Sequence, residues 1–439
     1  MGVKLFSILV FLSGAFATAS TVAQNGALSY VAIGMLFWVI IASNAERCFT
    51  AIVATSTFAP LFSISGISVY FLATILAACK MIRTGRNTSM WLAAIAMLAI
   101  YVLHDIQVTT MGTILNQTCY LLFFFIACLS MNFRRYDHRL TVVLFLCSVI
   151  LNFIGSIALT GDLSQLGDES IQYARLGEGD IEGGKNNNLG GAMGFPILTI
   201  YLITFGLPLL LGNNLKTTKK IILALVLLIC FVVTFFSTSK VYLLGLATLA
   251  VCLFFYFFRG GASFKEKFGA TLFVVFAFVA LYYSGYLDLF ISRYEYRMGD
   301  GDMDRLTTGR SLIIASCLDY LANHPLAILI GEGYRRYISI GATLQLPFSM
   351  SAHNVILDCI MAYGVFGAVV IIASLRTLHK KIVRLFCDYV PSALGWTPLI
   401  CWISMCMSNS PFMLPRTYVV LPFLVLHIYY YRSLMKNEK

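Results

Sequence analysis

The stretch between Arg293 and Gly367 contains four polar motifs: Arg-Leu-Thr-Thr-Gly-Arg (305–310), Asn-His-Pro-Leu (323–326), Gly-Glu-Gly-Tyr-Arg-Arg (331–336) and Ser-Ala-His-Asn (351–354). It ends in an apolar run that carries Tyr-Gly-Val-Phe-Gly (363–367). The stretch is polar, basic and long enough to form a structure outside a lipid bilayer, whereas the chain on either side is mostly apolar. We therefore expect a folded lid here, held between membrane helices.

The composition of the whole chain sets the fold class. Of the 439 residues, 59% are hydrophobic and 12% are charged, whereas soluble domains average about a quarter charged residues. Apolar runs of roughly 18 to 22 residues recur, and each can cross the hydrocarbon layer as a helix whose backbone groups are paired internally. The sequence predicts an all-α, polytopic membrane protein of about 12–14 transmembrane helices that forms a single domain over residues 1–439.

The apolar runs also predict where the helices lie. Spans are expected near 3–23, 27–43, 89–106, 112–131, 140–160, 191–212, 221–238, 241–258, 269–290, 354–375, 395–413 and 417–431. The run 49–82 is too long for one span and carries Pro60, which predicts a short or broken helix followed by a full one. If its first half only dips into the bilayer, fewer spans remain. Alternation of sides makes 161–190 and 291–352 the two large outward segments.

The net charge of +11 reflects the orientation of membrane loops and does not indicate a nucleic-acid surface. Most cations lie in short loops that alternate along the chain, as the positive-inside rule predicts. Intramembrane Asp, Glu, Lys and Arg are scarce, which counts against a transporter or flippase. Gly-Asp-Gly-Asp-Met-Asp (299–304) lacks the glycine and glutamate of a calcium loop, and no other metal or cofactor motif is present.

Six arginines in the outward segment 291–352 run against the positive-inside rule. They are Arg293, Arg297, Arg305, Arg310, Arg335 and Arg336. A guanidinium fork binds phosphate oxygens in pairs and stays charged at any working pH, so a lipid-linked phosphate or diphosphate is the expected ligand. Neutralisation by nearby carboxylates is the alternative, and we expect it for Arg293 and Arg297.

Arg310 lies at the predicted start of a helix. Thr307 or Thr308 can cap a helix that begins near Gly309–Arg310 and ends near Asn323, where His324-Pro325 is a stop signal. Apolar residues recur along it at helical spacing: Leu312, Ile313, Cys317, Leu318 and Leu321. The pattern predicts an amphipathic helix on the membrane surface, with Arg310 beside unpaired backbone N–H groups that favour anions.

Three further positions are candidates for chemistry or binding. His353 precedes the next span, where an imidazole with an unperturbed pKa of about 6.5 could act as a general base or simply bond a loop carbonyl. Loop 161–190 is acidic and glycine-rich and carries Asn188, which suits sugar hydroxyls or caps the following helix. Lys240 lies between two spans, where a lysine usually extends to lipid headgroups.

Together these motifs resemble the O-antigen polymerase and ligase superfamily of bacterial surface-glycan assembly. The resemblance covers the C-terminal two-thirds of the chain, in order: Arg175, Asn-Asn-Asn-Leu-Gly (186–190), Ser-Thr-Ser-Lys (237–240), Thr-Gly-Arg (308–310), Asn-His-Pro-Leu, Gly-Glu-Gly-Tyr (331–334), and His353-Asn354 leading to Gly364 and Gly367. At the helix junction the family often has arginine where this chain has Lys240, which keeps the charge but loses the bidentate fork.

The resemblance implies a GT-C-type glycosyltransferase of the bacterial inner membrane, with its active site on the periplasmic face and with no cofactor or metal. The donor would be an undecaprenyl-pyrophosphate-linked glycan. Arg310 would bind the pyrophosphate, and His353 would activate the acceptor hydroxyl. The implied substrate-binding residues are Arg175, Asn188, Lys240, Arg305, Glu332, Tyr334, Arg335 and Asn354.

Two acceptors fit the same motifs. A polymerase adds the glycan to a second lipid-linked repeat unit, and a ligase adds it to lipid A-core. The Gly-Glu-Gly-Tyr and His-Asn pattern and the acidic loop 161–190 look more like a polymerase, which we take as the first reading. The resemblance also suggests a chain-length regulator as a partner, besides membrane lipids, and no nucleic acid.

Overall fold

The structure is a computed structural model that describes most of the chain. It covers residues 1–64, 67–82, 88–160, 191–212, 214–235, 240–259, 264–283, 310–347, 351–386, 393–407 and 415–435, with single positions between 285 and 291. The outward loop 161–190 and the first part of the segment 291–352 lie outside the described residues.

The described residues are almost entirely helical. The helices are α1 Val3–Val22, α2 Gly26–Ile41, α3 Ala45–Thr55, α4 Tyr70–Met81, α5 Thr88–Asp105, α6 Met111–Leu129, α7 His138–Thr160, α8 Gly191–Leu211, α9 Thr217–Phe235, α10 Lys240–Arg259, α11 Phe264–Tyr283, α12 Arg310–Asn323, α13 Pro325–Ile330, α14 Tyr334–Thr343, α15 Val355–Val383, α16 Ala393–Cys406 and α17 Pro415–Met435. A small antiparallel pair, β1 Ser63–Ile64 and β2 Ile67–Ser68, completes them.

The helix lengths confirm an all-α, multi-pass membrane protein. Within the described ranges, eight helices are long and apolar enough to cross a membrane: α1, α5, α6, α7, α9, α10, α15 and α17. Four further helices in these ranges are apolar but shorter: α2, α4, α8 and α16. Every predicted span overlaps one of these helices or α11. The largest differences are at the ends of α15, which continues past 375, of α11, which ends before 290, and of α16, which ends before 413.

Long side chains tie the cationic loops together at one end of the bundle. Lys80 Nζ donates to the carbonyl oxygens of Ile40 (2.8 Å) and Ser43 (2.9 Å), and Lys381 Nζ donates to that of Cys128 (3.1 Å). We call this end, comprising Met1, 43–47, Lys80, 128–139, Lys381 and 430–434, the basic end. On α15, Asp358 is 23 residues before Lys381, or about 35 Å along a helix. The first turn of α15 and helices α12–α14, the lid end, therefore lie at the opposite end.

The run 49–82 is broken, as predicted, but its second half is not a full span. A 3-10 helix, Ser56–Leu61, containing Pro60 follows α3, and the returning helix α4 has only 12 residues. Such a helix is about 18 Å long and falls short of the hydrocarbon thickness. Because Lys80 bonds carbonyls at the end of α2, the piece dips into the bundle and returns to the basic end from which it started.

The long helix α15 is interrupted at Gly364, where φ is 67° and ψ is 179°. The interruption frees two carbonyl oxygens of the helix. Glu332 N–H donates to the carbonyl of Met361 (2.7 Å), and Gly333 N–H donates to that of Ala362 (3.0 Å). The Gly-Glu-Gly motif at 331–333 thus docks on the break in α15, which fixes the lid against the membrane helices.

Replacing Gly331 by alanine is expected to undock the lid. Gly331 has φ of 75°, and a Cβ there would lie 2.6 Å from the backbone carbonyl of Ala362. The unfavourable φ alone costs about 1–3 kcal/mol, and the steric overlap adds to it. We expect Gly331→Ala to lower the thermal midpoint of the purified protein in detergent.

Gly34→Ala in α2 is the matched control, because no atom lies within 4 Å of the added Cβ. Alanine within a helix is favoured over glycine by about 0.5–1 kcal/mol, so this variant should unfold at or slightly above the wild-type temperature. Equal midpoints for the two variants would contradict the docking of the motif on α15.

Candidate functional site

His353 lies in a tight turn immediately before α15. Its φ is 52° and that of Ser351 is 129°, so two non-glycine residues of the turn adopt left-handed backbone conformations. Asn354 is the N-cap of α15, and its Oδ1 accepts from the N–H groups of Ile356 (3.0 Å) and Leu357 (3.3 Å). The His353 side chain is half-buried. The predicted base therefore lies at a helix entry and is partly exposed, with its Nδ1 buried, while the side-chain carbonyl of Asn354 caps the helix.

A buried carboxylate supports the same turn from within α15. Asp358 is 0% exposed, and its Oδ1 accepts from the N–H of Ala352 (2.8 Å) and from the hydroxyl of Tyr337 on α14. Burial raises the pKa of the Tyr337 hydroxyl well above its ordinary value, so Tyr337 stays protonated and acts as a donor. The turn before α15 is thus bonded both to its own helix and to the lid.

Arg310 begins α12, at the position where the sequence predicted the helix to start, and its side chain is half-buried. The expected caps, Thr307 and Thr308, lie outside the described residues. Burial lowers the pKa of the Arg310 guanidinium, although a guanidinium stays protonated in proteins. Within the ranges that the structure describes, no carboxylate forms an ion pair with it. A half-buried cation at a helix N-terminus is suited to an anionic ligand.

Arg336, by contrast, has its counter-ion. It forms an ion pair with Glu332, four residues earlier, and the Glu332 Oε1 also accepts from the Tyr320 hydroxyl (3.2 Å). Burial and the neighbouring carboxylate raise the pKa of Tyr320 to about 12, which keeps the donor proton in place. Glu332, predicted to bind substrate, is thereby placed in a neutral network between α12 and α14.

Arg335 and Tyr334 lie together at the start of α14. The Arg335 guanidinium is 5.5 Å from the centre of the Tyr334 ring, and the Arg335 side chain is exposed. Burial raises the pKa of the Tyr334 hydroxyl. Both residues were predicted to contact substrate, and of the two cations of α14 Arg335 is the more exposed.

Asp105, at the end of α5, is a lid contact that the sequence did not indicate. Its Oδ1 accepts from the N–H groups of Arg335 (3.0 Å) and Arg336 (3.1 Å), so the carboxylate caps α14 across the bundle. Gly333 has φ of 79°, and a Cβ there would lie 2.4 Å from the same oxygen. The only available signal was an acidic residue at the outer end of an apolar helix.

Helix α12 has the predicted bounds but a different buried face. Cys317 and Leu321 are buried, and α12 packs on α13 and α15. Leu312 and Leu318, which the prediction put in the same apolar stripe, are 54% and 53% exposed. The helix therefore presents one apolar side to the protein and another outward, because it is buried only where α13 and α15 cover it.

The structure brings together the elements that carry Arg310, Glu332 and His353, because α12, α13 and α14 all pack on α15. Arg175, Asn188 and Arg305 lie outside the described residues, as do the carboxylates expected to neutralise Arg293 and Arg297. Lys240 begins α10, and its role stays a prediction. Chemically, the lid end combines a half-buried guanidinium, a half-buried imidazole and several buried hydroxyl donors.

Comparison with known proteins agrees with the motifs. Residues 223–372 match the family model described as O-antigen ligase. This range runs from α9 into α15 and includes Arg310, Glu332 and His353, whereas Asp105 lies outside it. No curated protein and no solved structure matches the chain. Residues 223–372 are thus similar to the O-antigen ligase family, which agrees with the resemblance that the motifs in this range predict.

Proposed function

We propose that the chain is an O-antigen polymerase of the bacterial inner membrane, a GT-C-type enzyme that joins undecaprenyl-pyrophosphate-linked repeat units. The observation that carries this proposal is the placement of Arg310. It is a half-buried cation with no carboxylate partner among the described residues, on a helix that packs against the helix preceded by His353. A site for a diphosphate beside a base is what transfer from a lipid diphosphate requires.

The reaction forms one bond and breaks one. The acceptor hydroxyl oxygen attacks the anomeric carbon of the donor glycan, and the bond from that carbon to the pyrophosphate oxygen breaks. His353 takes the proton of the hydroxyl as its oxygen becomes bonded to carbon. The electron pair of the broken bond leaves with the lipid pyrophosphate, whose added negative charge Arg310 and the N–H groups at the start of α12 stabilise.

The remaining predicted residues have supporting roles in this proposal. Arg175, Lys240 and Arg305 add positive charge near the pyrophosphate, and Asn188 contacts sugar hydroxyls. Arg335, exposed beside Tyr334, lines the route by which the glycan enters, and Glu332 supports that route through its contacts with Arg336 and Tyr320. Asn354 holds the entry of α15 and offers its amide N–H₂ to the acceptor.

The proposed side of the membrane follows from the distribution of charge. Cations gather at the basic end, which the positive-inside rule places in the cytoplasm. The lid end then faces the periplasm, with 161–190 and 291–352 as the periplasmic parts of one membrane domain over residues 1–439. This is the face at which lipid-linked repeat units and the lipid A-core acceptor are both available to the family.

A ligase that transfers the same donor to lipid A-core is the second candidate. The description of the matching family model, O-antigen ligase, favours it. Donor, leaving group and base are the same in both reactions, so the described site serves either. Only the acceptor differs, and a chain-length regulator would be a partner of the polymerase alone.

Deleting the gene is expected to leave lipopolysaccharide core bearing a single repeat unit, because ligation of unpolymerised units continues without a polymerase. The measurement is the banding of lipopolysaccharide from the deletion strain on a gel, with the strain carrying the restored gene as control. Bare core with accumulated lipid-linked polymer would instead identify a ligase. Repeat units held on the cytoplasmic side would contradict both candidates and indicate a flippase.

A further inference from the structure

The backbone turn that carries His353 is conformationally strained and is held on both sides. Left-handed conformations are unfavourable for residues other than glycine, and Ser351 and His353 both adopt them within three positions. Such a turn persists only where neighbouring groups hold it. On its C-terminal side Asn354 caps α15 through two hydrogen bonds. On its N-terminal side the Ala352 N–H is held by Asp358 (2.8 Å).

The bond from Ala352 to Asp358 is not an ordinary helix cap. A capping carboxylate at the third helical position bonds the N–H of the N-cap residue itself. Asp358, the fourth residue of α15, accepts a backbone hydrogen bond from the N-cap, Asn354, and in addition bonds Ala352 on the far side of His353. His353 is therefore flanked by two anchored residues, and its backbone cannot relax without breaking one of these contacts.

The same carboxylate oxygen connects the turn to the lid. Asp358 and Tyr337 are both 0% exposed, and the Tyr337 hydroxyl donates to Asp358 Oδ1. Tyr337 belongs to α14, whose first N–H groups are held by Asp105 of α5. A continuous set of hydrogen bonds thus runs from α5 through the lid to the residue before His353.

We propose that Asp358 is a positioning residue for His353: its Oδ1 fixes the Ala352 N–H, and with it the turn that aims the imidazole at the acceptor hydroxyl. Tyr337 holds the carboxylate in place for this purpose. This inference rests on the proposed function, because it assigns Asp358 a task in the same transfer reaction. Asp358 affects the position of the base, whereas donor binding at Arg310 does not depend on it.

The test compares Asp358→Ala with Asp358→Asn in the purified full-length protein, using a polyprenyl-diphosphate-linked repeat unit as substrate. Displacing a reacting group by about 1 Å costs about 100-fold in rate, so we expect Asp358→Ala to lower kcat about 100-fold. The KM for the donor should stay within about threefold, because the Arg310 contacts do not depend on the turn. Asp358→Asn keeps an oxygen that can accept from Ala352 and should retain kcat within about tenfold.

Hydrogen–deuterium exchange of the peptide that spans 351–358 measures how firmly Asp358 holds the turn, independently of activity. Exchange should rise in Asp358→Ala and remain near the wild-type rate in Asp358→Asn. Unchanged exchange in Asp358→Ala would overturn the inference even if the enzyme is a polymerase. If the wild type makes no product, the proposed function fails, and the exchange rates still decide whether Asp358 holds the turn.

A double variant separates positioning from an unrelated structural role. In a His353→Asn background, Asp358→Ala should cause no further loss, because the group that it positions is already absent. A further 100-fold loss in that background would overturn the inference. If Asp358→Ala does not accumulate in the membrane, Tyr337→Phe decides in its place. It should lower kcat about tenfold at unchanged KM, and a wild-type kcat would count against the proposal.

Discussion

Replacing Arg310 by alanine is expected to abolish glycan transfer while the protein still reaches the membrane. The guanidinium is half-buried at the start of α12, and we propose that it binds the leaving pyrophosphate. Removing one group that stabilises developing charge in a partly dehydrated site costs about 10²–10³-fold in rate. In cells this should appear as loss of the extended lipopolysaccharide bands, with normal amounts of the variant in the membrane fraction.

Two further variants test whether the loss is specific to the guanidinium of Arg310. Arg310→Lys keeps the charge without the bidentate fork and should retain intermediate transfer. Arg376→Ala removes an exposed arginine from the far half of α15 and should leave the banding unchanged. Normal banding from Arg310→Ala would refute the assignment of this residue. Loss of bands from Arg376→Ala as well would mean that any arginine deletion disturbs the protein.

The second large effect is expected at His353, where the choice of substitution matters. Because His353 has a left-handed backbone, asparagine is the best replacement: it tolerates that conformation and offers no base near neutral pH. Loss of a positioned general base lowers the rate by about 10²–10⁴-fold. We therefore expect His353→Asn to lose product with the fold intact, measured as turnover and thermal midpoint of the same preparation.

Gln345 supplies the matched control for His353. It lies at the end of α14 with φ of 53°, so Gln345→Asn makes a comparable exchange in the same backbone conformation and in the same part of the lid. This variant should keep wild-type turnover. Turnover of His353→Asn within about threefold of the wild type would exclude His353 as the base and would leave it an interfacial residue that bonds a loop carbonyl.

The parts of the fold that could be predicted from sequence are those that neighbouring residues in the chain specify. Helix α12 has the predicted bounds, Arg310–Asn323, and His324-Pro325 follows its end. Thr307 and Thr308, expected to cap its start, lie outside the described residues. Pro60 likewise predicted the broken helix, since a missing N–H acts on its own turn. The spans followed from apolar runs, whose length alone decides whether a helix can cross a bilayer.

The contacts that assemble the site could not be predicted, because they join residues distant in the chain. Asp105 reaches the first turn of α14 across 230 positions, and no local pattern pairs them. The break in α15 at Gly364 lies within a continuous apolar run and exists because Glu332 and Gly333 take over the freed carbonyls. Asp358 is likewise a single polar residue in an apolar span, and its contact with Ala352 exists only once the turn before α15 has folded.

We propose that Arg310 and His353 act on one lipid diphosphate donor at the lid end. The most direct measurement is transfer in proteoliposomes, using the purified protein and a labelled polyprenyl-diphosphate-linked repeat unit. We expect elongated product from the wild type, Arg376→Ala and Gln345→Asn, and at least about 100-fold less from Arg310→Ala and His353→Asn. Elongation at the wild-type rate by Arg310→Ala and His353→Asn would contradict it.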